Sequence, residues 1–268
     1  MTIVVDPHIA RTWIERIRGG ASERVQDELA VEEPLEIRVD GRPLAVTMRT
    51  PGDDDELAAG FLAGEGLIAA PDDVAAVGPT ADFAANAVEV RTRAGLRRDP
   101  GARSFYTTSS CGVCGKGALE SIRVEAGEPP PQPDVVDARL VTAAPETARS
   151  RQTAFERTGG LHATALFEAR DGQLVVLRED VGRHNAMDKA IGSQLLAGRF
   201  PLTGVVACVS GRASFELVQK AALAGLVGII AVGAPSTLAV ELARERGMLL
   251  CGFVKSASFN LYSGTLRM

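Results

Sequence analysis

The chain has 268 residues, 46% of them hydrophobic and 24% charged, with a formal charge of -5. That composition excludes a collagen-like, low-complexity or wholly disordered chain and leaves length for one large folded unit or two modest ones. No window reaches the roughly 18 to 20 apolar residues of a membrane span, and the acidic balance argues against a general nucleic-acid binder. Four cysteines are too few for a disulfide scaffold at this length. The N-terminus lacks the basic-then-apolar text of a signal peptide, so a cytoplasmic protein is expected.

Residues 1–30 are charged and weakly patterned, and are expected to form an arm with a short helix around Trp13. Residues 35–39 and 44–48 alternate on either side of Asp40-Gly41, which predicts a β-hairpin. Asp53, Asp54, Asp55 and Glu56 then precede Leu57, Phe61, Leu62 and Leu67. Acids in a first turn complement the helix dipole, so a helix of about three turns is expected. Residues 88–92 read as a strand and 95–101 as a basic loop, while 107–117 is too rich in Thr, Ser, Gly and Cys for a core element. Four prolines within 128–133 mark a linker. The expected division is an arm at 1–30, an α+β part at 31–130 and an α/β part at 131–268.

In the last part, 142–154 and 185–196 read as helices, and 163–167 and 174–177 flank Asp171-Gly172, a second hairpin signal. Apolar runs at 204–209, 228–232 and 248–254 alternate with helical patterns at 214–226 and 236–246, with Ser236 as N-cap and Gly247 as stop. Fully apolar strands alternating with helices indicate a buried parallel sheet covered by helices.

The sharpest local feature is Ser109-Ser110-Cys111-Gly112-Val113-Cys114-Gly115-Lys116-Gly117. Such a pair can be half a metal site, a redox disulfide or a sulfur carrier. A zinc site needs two further ligands. Cys208 and Cys251 stand singly in apolar runs, where a free cysteine is a small buried hydrophobe, so no metal is expected. A thioredoxin-type pair opens a helix within a βαβ unit, whereas Gly112, Gly115 and Gly117 surround these thiols. A carrier suits such a loop. A thiolate, favoured by Lys116 and backbone amides, takes a sulfane sulfur as a persulfide, and the neighbouring thiol can release it by forming a disulfide.

Arg183, His184, Asp188 and Lys189 lie at a turn entering a helix, and helix N-termini attract anions. The competing reading is a polar helix start capped by Asp180. Arg212, within Gly211-Arg212-Ala213-Ser214, and the segment Gly233-Ala234-Pro235-Ser236-Thr237 each follow an apolar strand, and 253–258 is expected to follow the last one. Ligands favour the carboxyl ends of strands in open sheets, so one shared pocket is expected. The competing reading is ordinary helix-cap chemistry.

With these residues in view, Thr108 to Lys116 resembles the active loop of the formate dehydrogenase accessory sulfurtransferase family, FdhD. Met48-Arg49-Thr50-Pro51-Gly52-Asp53-Asp54, Glu179-Asp180-Val181-Gly182-Arg183-His184-Asn185, Ser210-Gly211-Arg212-Ala213-Ser214 and Ala234-Pro235-Ser236-Thr237 follow in the same order. The resemblance runs from about residue 34 to 264. It implies an α/β fold, with a cytidine-deaminase-like βαβ sheet in the C-terminal part, lacking that fold's zinc, and a smaller α+β N-terminal part. It implies a sulfurtransferase that takes persulfide sulfur from a cysteine desulfurase. The acceptor implied is the bis-molybdopterin guanine dinucleotide molybdenum cofactor, destined for the catalytic subunit of formate dehydrogenase.

Under the resemblance Cys111 carries the persulfide and Cys114 is its partner. Phe253, Val254, Lys255, Ser256, Ala257 and Ser258 match the cofactor-binding stretch; Arg212, Arg183 and His184 are expected as further cofactor contacts from their places at the strand and helix ends. A homodimer is implied, with no nucleic acid and no membrane among its partners. The alternative is a chaperone that inserts the cofactor without moving sulfur. The sequence departs from the family in one place. The family often carries glycine and arginine before a Phe-Asn pair, and here Lys255-Ser256-Ala257-Ser258 precedes Phe259-Asn260. Lysine cannot reproduce the planar, bidentate grip of arginine on phosphate.

Overall fold

The computed structural model describes residues 3–80, 86–99, 105–107 and 135–268. The first thirty residues are not helical near Trp13. Strands β1 (Ile3–Asp6), β2 (Ile9–Arg18) and β3 (Ala21–Ala30) form a three-stranded antiparallel sheet. The governing signal is Gly19-Gly20, with φ of 58° and 85°. Two consecutive left-handed residues make the hairpin turn whose twist matches the flanking strands. Strands β2 and β3 then pair in unbroken register from Ile9 opposite Ala30 to Arg18 opposite Ala21. Trp13 and Ile17 are exposed, so this hairpin has no clean apolar face to announce it in the sequence.

The hairpin at Asp40-Gly41 is present as β4 (Glu33–Val39) and β5 (Arg42–Arg49), both turn residues having positive φ. Helix α1 (Asp54–Gly64) follows, with Asp54, Asp55 and Glu56 in its first turn. Strands β6 (Val74–Pro79), β7 (Ala87–Thr92) and β8 (Phe105–Thr107) complete a sheet of order β6-β7-β4-β5-β8. Its buried face presents Leu35, Ile37, Val88 and Val90 to Leu57, Leu62 and Leu67.

Beyond residue 134 the expected helix at 142–154 is two helices, α2 (Ala138–Arg149) and α3 (Thr153–Thr158). The Asp137 side chain caps α2 by accepting from the Arg139 N–H. The Glu179 carboxylate opens α3 by accepting from the Ala154 and Phe155 N–H groups at 3.1 and 2.8 Å. Strands β9 (His162–Glu168) and β10 (Leu174–Asp180) form the second hairpin. Then come α4 (Arg183–Leu196), β11 (Val205–Val209), α5 (Phe215–Leu223), β12 (Gly228–Ala231), α6 (Thr237–Glu245), β13 (Leu249–Lys255) and β14 (Ser258–Ser263).

The resulting sheet has the order β10-β9-β11-β12-β13-β14. Only the β11-β12 and β12-β13 pairings are parallel; β9, β10 and β14 join antiparallel, so the sheet is mixed where a parallel one was expected. The strand period of two divides the core cleanly. Leu166, Ala207, Val209, Ile229 and Leu250 face one way, in a core continuous with Leu35 and Leu57 of the N-terminal sheet. Ala165, Phe167, Val206, Cys208, Ile230 and Cys251 face the other way, toward Leu140, Val141 and Ala144 of α2.

The two sheets meet through α1 and α4. A Cβ on Gly60 would lie 1.8 Å from the Asp188 carbonyl oxygen, and one on Gly192 would lie 1.8 Å from the Glu56 carbonyl oxygen. The helices cross backbone to backbone, which only glycine at both positions permits.

Candidate functional site at the strand ends

Strands β11, β12 and β13 run parallel, so their carboxyl ends lie side by side, the usual ligand-binding edge of such a sheet. Backbone hydrogen bonds zip the segments there. The Gly233 N–H donates to the Gly211 carbonyl at 2.9 Å, and the Phe253 N–H donates to the Gly233 carbonyl at 3.1 Å. A Cβ on Gly233 would meet the Arg212 nitrogen at 3.0 Å, so these loops touch. Ser214 and Ser236 are spent as N-caps of α5 and α6, accepting from Leu217 and Ala239. The helix-cap reading therefore holds for these two hydroxyls.

Below this edge lies a cleft of about 620 Å³, between the sheet and the corner made by α2 and α3. The sheet side contributes His162, Ser210, Val232, Lys255 and Ser256. The helix corner contributes Glu146, Arg149, Gln152 and Phe155. The Ala163 N–H donates to the Ser210 hydroxyl oxygen at 3.0 Å, and His162 Nδ1 lies 3.3 Å from the same oxygen. In the tautomer with the imidazole proton on Nε2, the Ser210 hydroxyl donates to Nδ1 while its oxygen accepts from Ala163. Burial first, then the charges of Arg183 and His184, push the His162 pKa below its ordinary value. His162 is therefore a neutral imidazole in the cleft at pH 7.

Of the residues singled out from the sequence, Lys255 and Ser256 line this cleft. Ala257 and Ser258 are exposed beside them, because 253–258 does not follow the last strand: it is the end of β13, a two-residue turn and the start of β14. Val254 is buried in the core packed against α2 and presents no side chain to the cleft. Phe253 is 48% exposed and has φ of 53°, at a bulge between β13 and β14. Arg212 is exposed at the tip of its loop.

Arg183 opens α4, half-buried, and its Nε atom has no hydrogen-bond partner among the described residues. His184 is drawn toward α5, with Nε2 2.8 Å from a Glu216 carboxylate oxygen and 3.3 Å from the Ser214 hydroxyl. Cys111 and Cys114 lie outside the described residues. Cys208 and Cys251 are buried, and burial pushes each thiol up to about 12, so neither supplies a thiolate at neutral pH.

Lys189 does not add charge to the anion site. Its Nζ lies 2.8 Å from Asp180 Oδ2 and donates to the Thr50 carbonyl, and both charged groups are essentially inaccessible. Asp180 is not the helix cap either; that residue is Gly182. The Asp180 carboxylate accepts from the N–H groups of Thr50 and Gly182 and from the Asn185 amide, which donates in turn to the Met48 carbonyl. A second buried set joins Lys220 to Asp188 at 2.9 Å and to Glu65 at 3.3 Å. Much of the stretch 179–189 is thus a fastening between the β5–α1 connection and the C-terminal sheet.

Sequence reasoning did not single out Arg149, Gln152 or Phe155, and noted Ser210 only within a motif. Nothing local marks the α2–α3 corner as a cleft wall.

The mixed α/β sheet brings Ser210, Lys255, Ser256 and His162 around one cleft at the ends of its parallel strands. Comparison gives the particular family. The model of the FdhD/NarQ family matches residues 30–268, and the chain belongs to that family. It is 49% identical to a protein of Streptomyces avermitilis over 96% of this chain and 95% of the relative, and 50% identical to one of Streptomyces coelicolor with the same coverage. Both relatives are called sulfur carrier protein FdhD. A solved structure described as a formate dehydrogenase accessory protein from Desulfotalea psychrophila aligns with a TM-score of 0.76, 24% identity, 96% of this chain and 97% of that one, a likeness of fold. Among the described residues no helix is long and apolar enough to cross a membrane.

Proposed function

We propose that this protein is a sulfur carrier in the maturation of formate dehydrogenase. The observation that carries the reading is identity of about half over nearly the whole chain to proteins called sulfur carriers, together with the Cys111-Gly112-Val113-Cys114 pair. In this reading the Cys111 thiolate attacks the terminal sulfur of a persulfide on a cysteine desulfurase. A sulfur–sulfur bond forms on Cys111 as the donor's breaks, and the donor leaves as a thiolate, with no net oxidation. The acceptor is the bis-molybdopterin guanine dinucleotide molybdenum cofactor, a substrate and not a resident group. Its guanine nucleotide arm occupies the strand-end cleft, where Lys255, Ser256, Ser210 and neutral His162 offer donors to phosphate and base.

The order β10-β9-β11-β12-β13 supports the view that this half descends from a cytidine-deaminase-like sheet. The protein acts in the cytoplasm, as a homodimer, between the desulfurase and the formate dehydrogenase catalytic subunit. The test is non-reducing intact mass spectrometry after incubation with a cysteine desulfurase and cysteine. A gain of one sulfur that is lost in Cys111→Ala is the expected result. No gain, with guanine nucleotide still bound, would favour an insertion chaperone instead.

A further inference from the structure

We propose that Arg149, laid on the Phe155 ring, is the bidentate phosphate contact of the cleft, supplying from α2 the planar grip that Lys255 lacks. The proposal rests on the guanine-nucleotide reading of the cleft and adds a residue that none of the strand-end motifs contains.

Arg149 is the last residue of α2, and its guanidinium carbon lies 4.5 Å from the centroid of the Phe155 ring. Phe155 belongs to α3, and its own N–H is held by the Glu179 carboxylate at 2.8 Å, so the plate under the guanidinium is anchored to the sheet. Among the described residues the ring is the only partner the guanidinium has. A guanidinium stacked on an aromatic face keeps its N–H groups in its own plane, pointing outward past the ring edge. That is the fork that matches two phosphate oxygens.

Arg149, from α2, and Lys255, from β13, line the same cleft, which His162, neutral at pH 7, also lines. Among the described lining residues Glu146 is the one carboxylate, against the two cations Arg149 and Lys255. The cleft's volume of about 620 Å³ suits a mononucleotide unit. Two cations in one cleft, one a fork and one a point charge, suit a diphosphate better than a single phosphate: the fork takes one phosphoryl group and the ammonium the other.

The experiment is calorimetric titration of wild type, Arg149→Ala, Arg149→Lys and Phe155→Leu with GDP, inorganic pyrophosphate and guanosine. Arg149 is exposed, so its variants should fold, and far-ultraviolet circular dichroism checks that they do. The expected result is GDP and pyrophosphate binding weakened at least tenfold in Arg149→Ala and little restored in Arg149→Lys. Phe155→Leu should show a smaller loss, and guanosine should be unaffected throughout. GDP binding by Arg149→Ala at wild-type strength overturns the proposal and leaves the nucleotide reading intact. Full recovery in Arg149→Lys, or an equal loss for guanosine, overturns the bidentate phosphate role. A wild-type protein that binds no GDP removes the nucleotide reading and this proposal with it.

Discussion

Gly60 and Gly192 face each other where α1 crosses α4, each too close to the other helix's backbone to carry a methyl group. In most helix pairs interdigitated side chains set the separation. Here the backbones themselves do, and Leu57, Phe61, Met187 and Ile191 pack around the crossing.

The first prediction follows from that contact. Gly60→Ala and Gly192→Ala should each destabilise the fold by about 3 kcal/mol, the upper end for overpacking, because the clash is with main chain that has nowhere to go. The gain in helix propensity, about 1 kcal/mol, is too small to offset it. Urea denaturation of the two variants checks this. Gly159→Ala is the control: no atom lies within 4 Å of its added Cβ, though its positive φ still costs something.

The pair Asp180 and Lys189 gives the second. Lys189→Met should cost about 3 kcal/mol or more, because it leaves a fully buried carboxylate without its cation. The double variant Asp180→Asn with Lys189→Met should recover part of the loss. Chemical denaturation of the two singles and the double reads the coupling directly; strictly additive losses would mean the pair is not acting as a pair.

His162 sets the third. Its folded pKa lies below the unfolded value, so the folded state is favoured by its neutrality above pH 6.5 and loses that contribution as pH falls through the folded pKa. Stability should therefore decline below about pH 6.5, and by less in His162→Gln. Nuclear magnetic resonance titration of the His162 ring should give a midpoint under 6.5.

Cys208 and Cys251 give the fourth. Under native conditions at pH 7.5 neither should react with iodoacetamide, because burial holds both as thiols with values near 12. Peptide mapping after native and denatured labelling measures this. It also makes both residues internal controls for sulfur loading at Cys111.

The sequence was most legible where one local signal decided the structure. Asp40-Gly41 and Asp171-Gly172 announced their hairpins, Ser236 its helix, and the apolar runs of β11, β12 and β13 their burial on both faces. It was least legible where the decision was made at a distance. Lys189 looked like one more cation at a helix start, yet Asp180 and Thr50, brought over by two different strands, pull it into the core. The helix at 142–154 carried no obvious break; Glu179, some 25 residues further on, captures the N–H groups that restart it as α3. The cleft joined these two kinds of case, with one wall written in the strand-end motifs and the other in a helix corner that no motif marks.

The left-handed backbone of Phe253 has a thermodynamic consequence. A bulky residue in that region costs roughly 1–2 kcal/mol that glycine would not incur. The ring is half exposed, so little apolar burial compensates. Phe253→Gly should therefore make a more stable molecule. Calorimetric melting of the variant beside wild type reads this directly: the backbone at 253 is one that glycine adopts freely and a side chain does not.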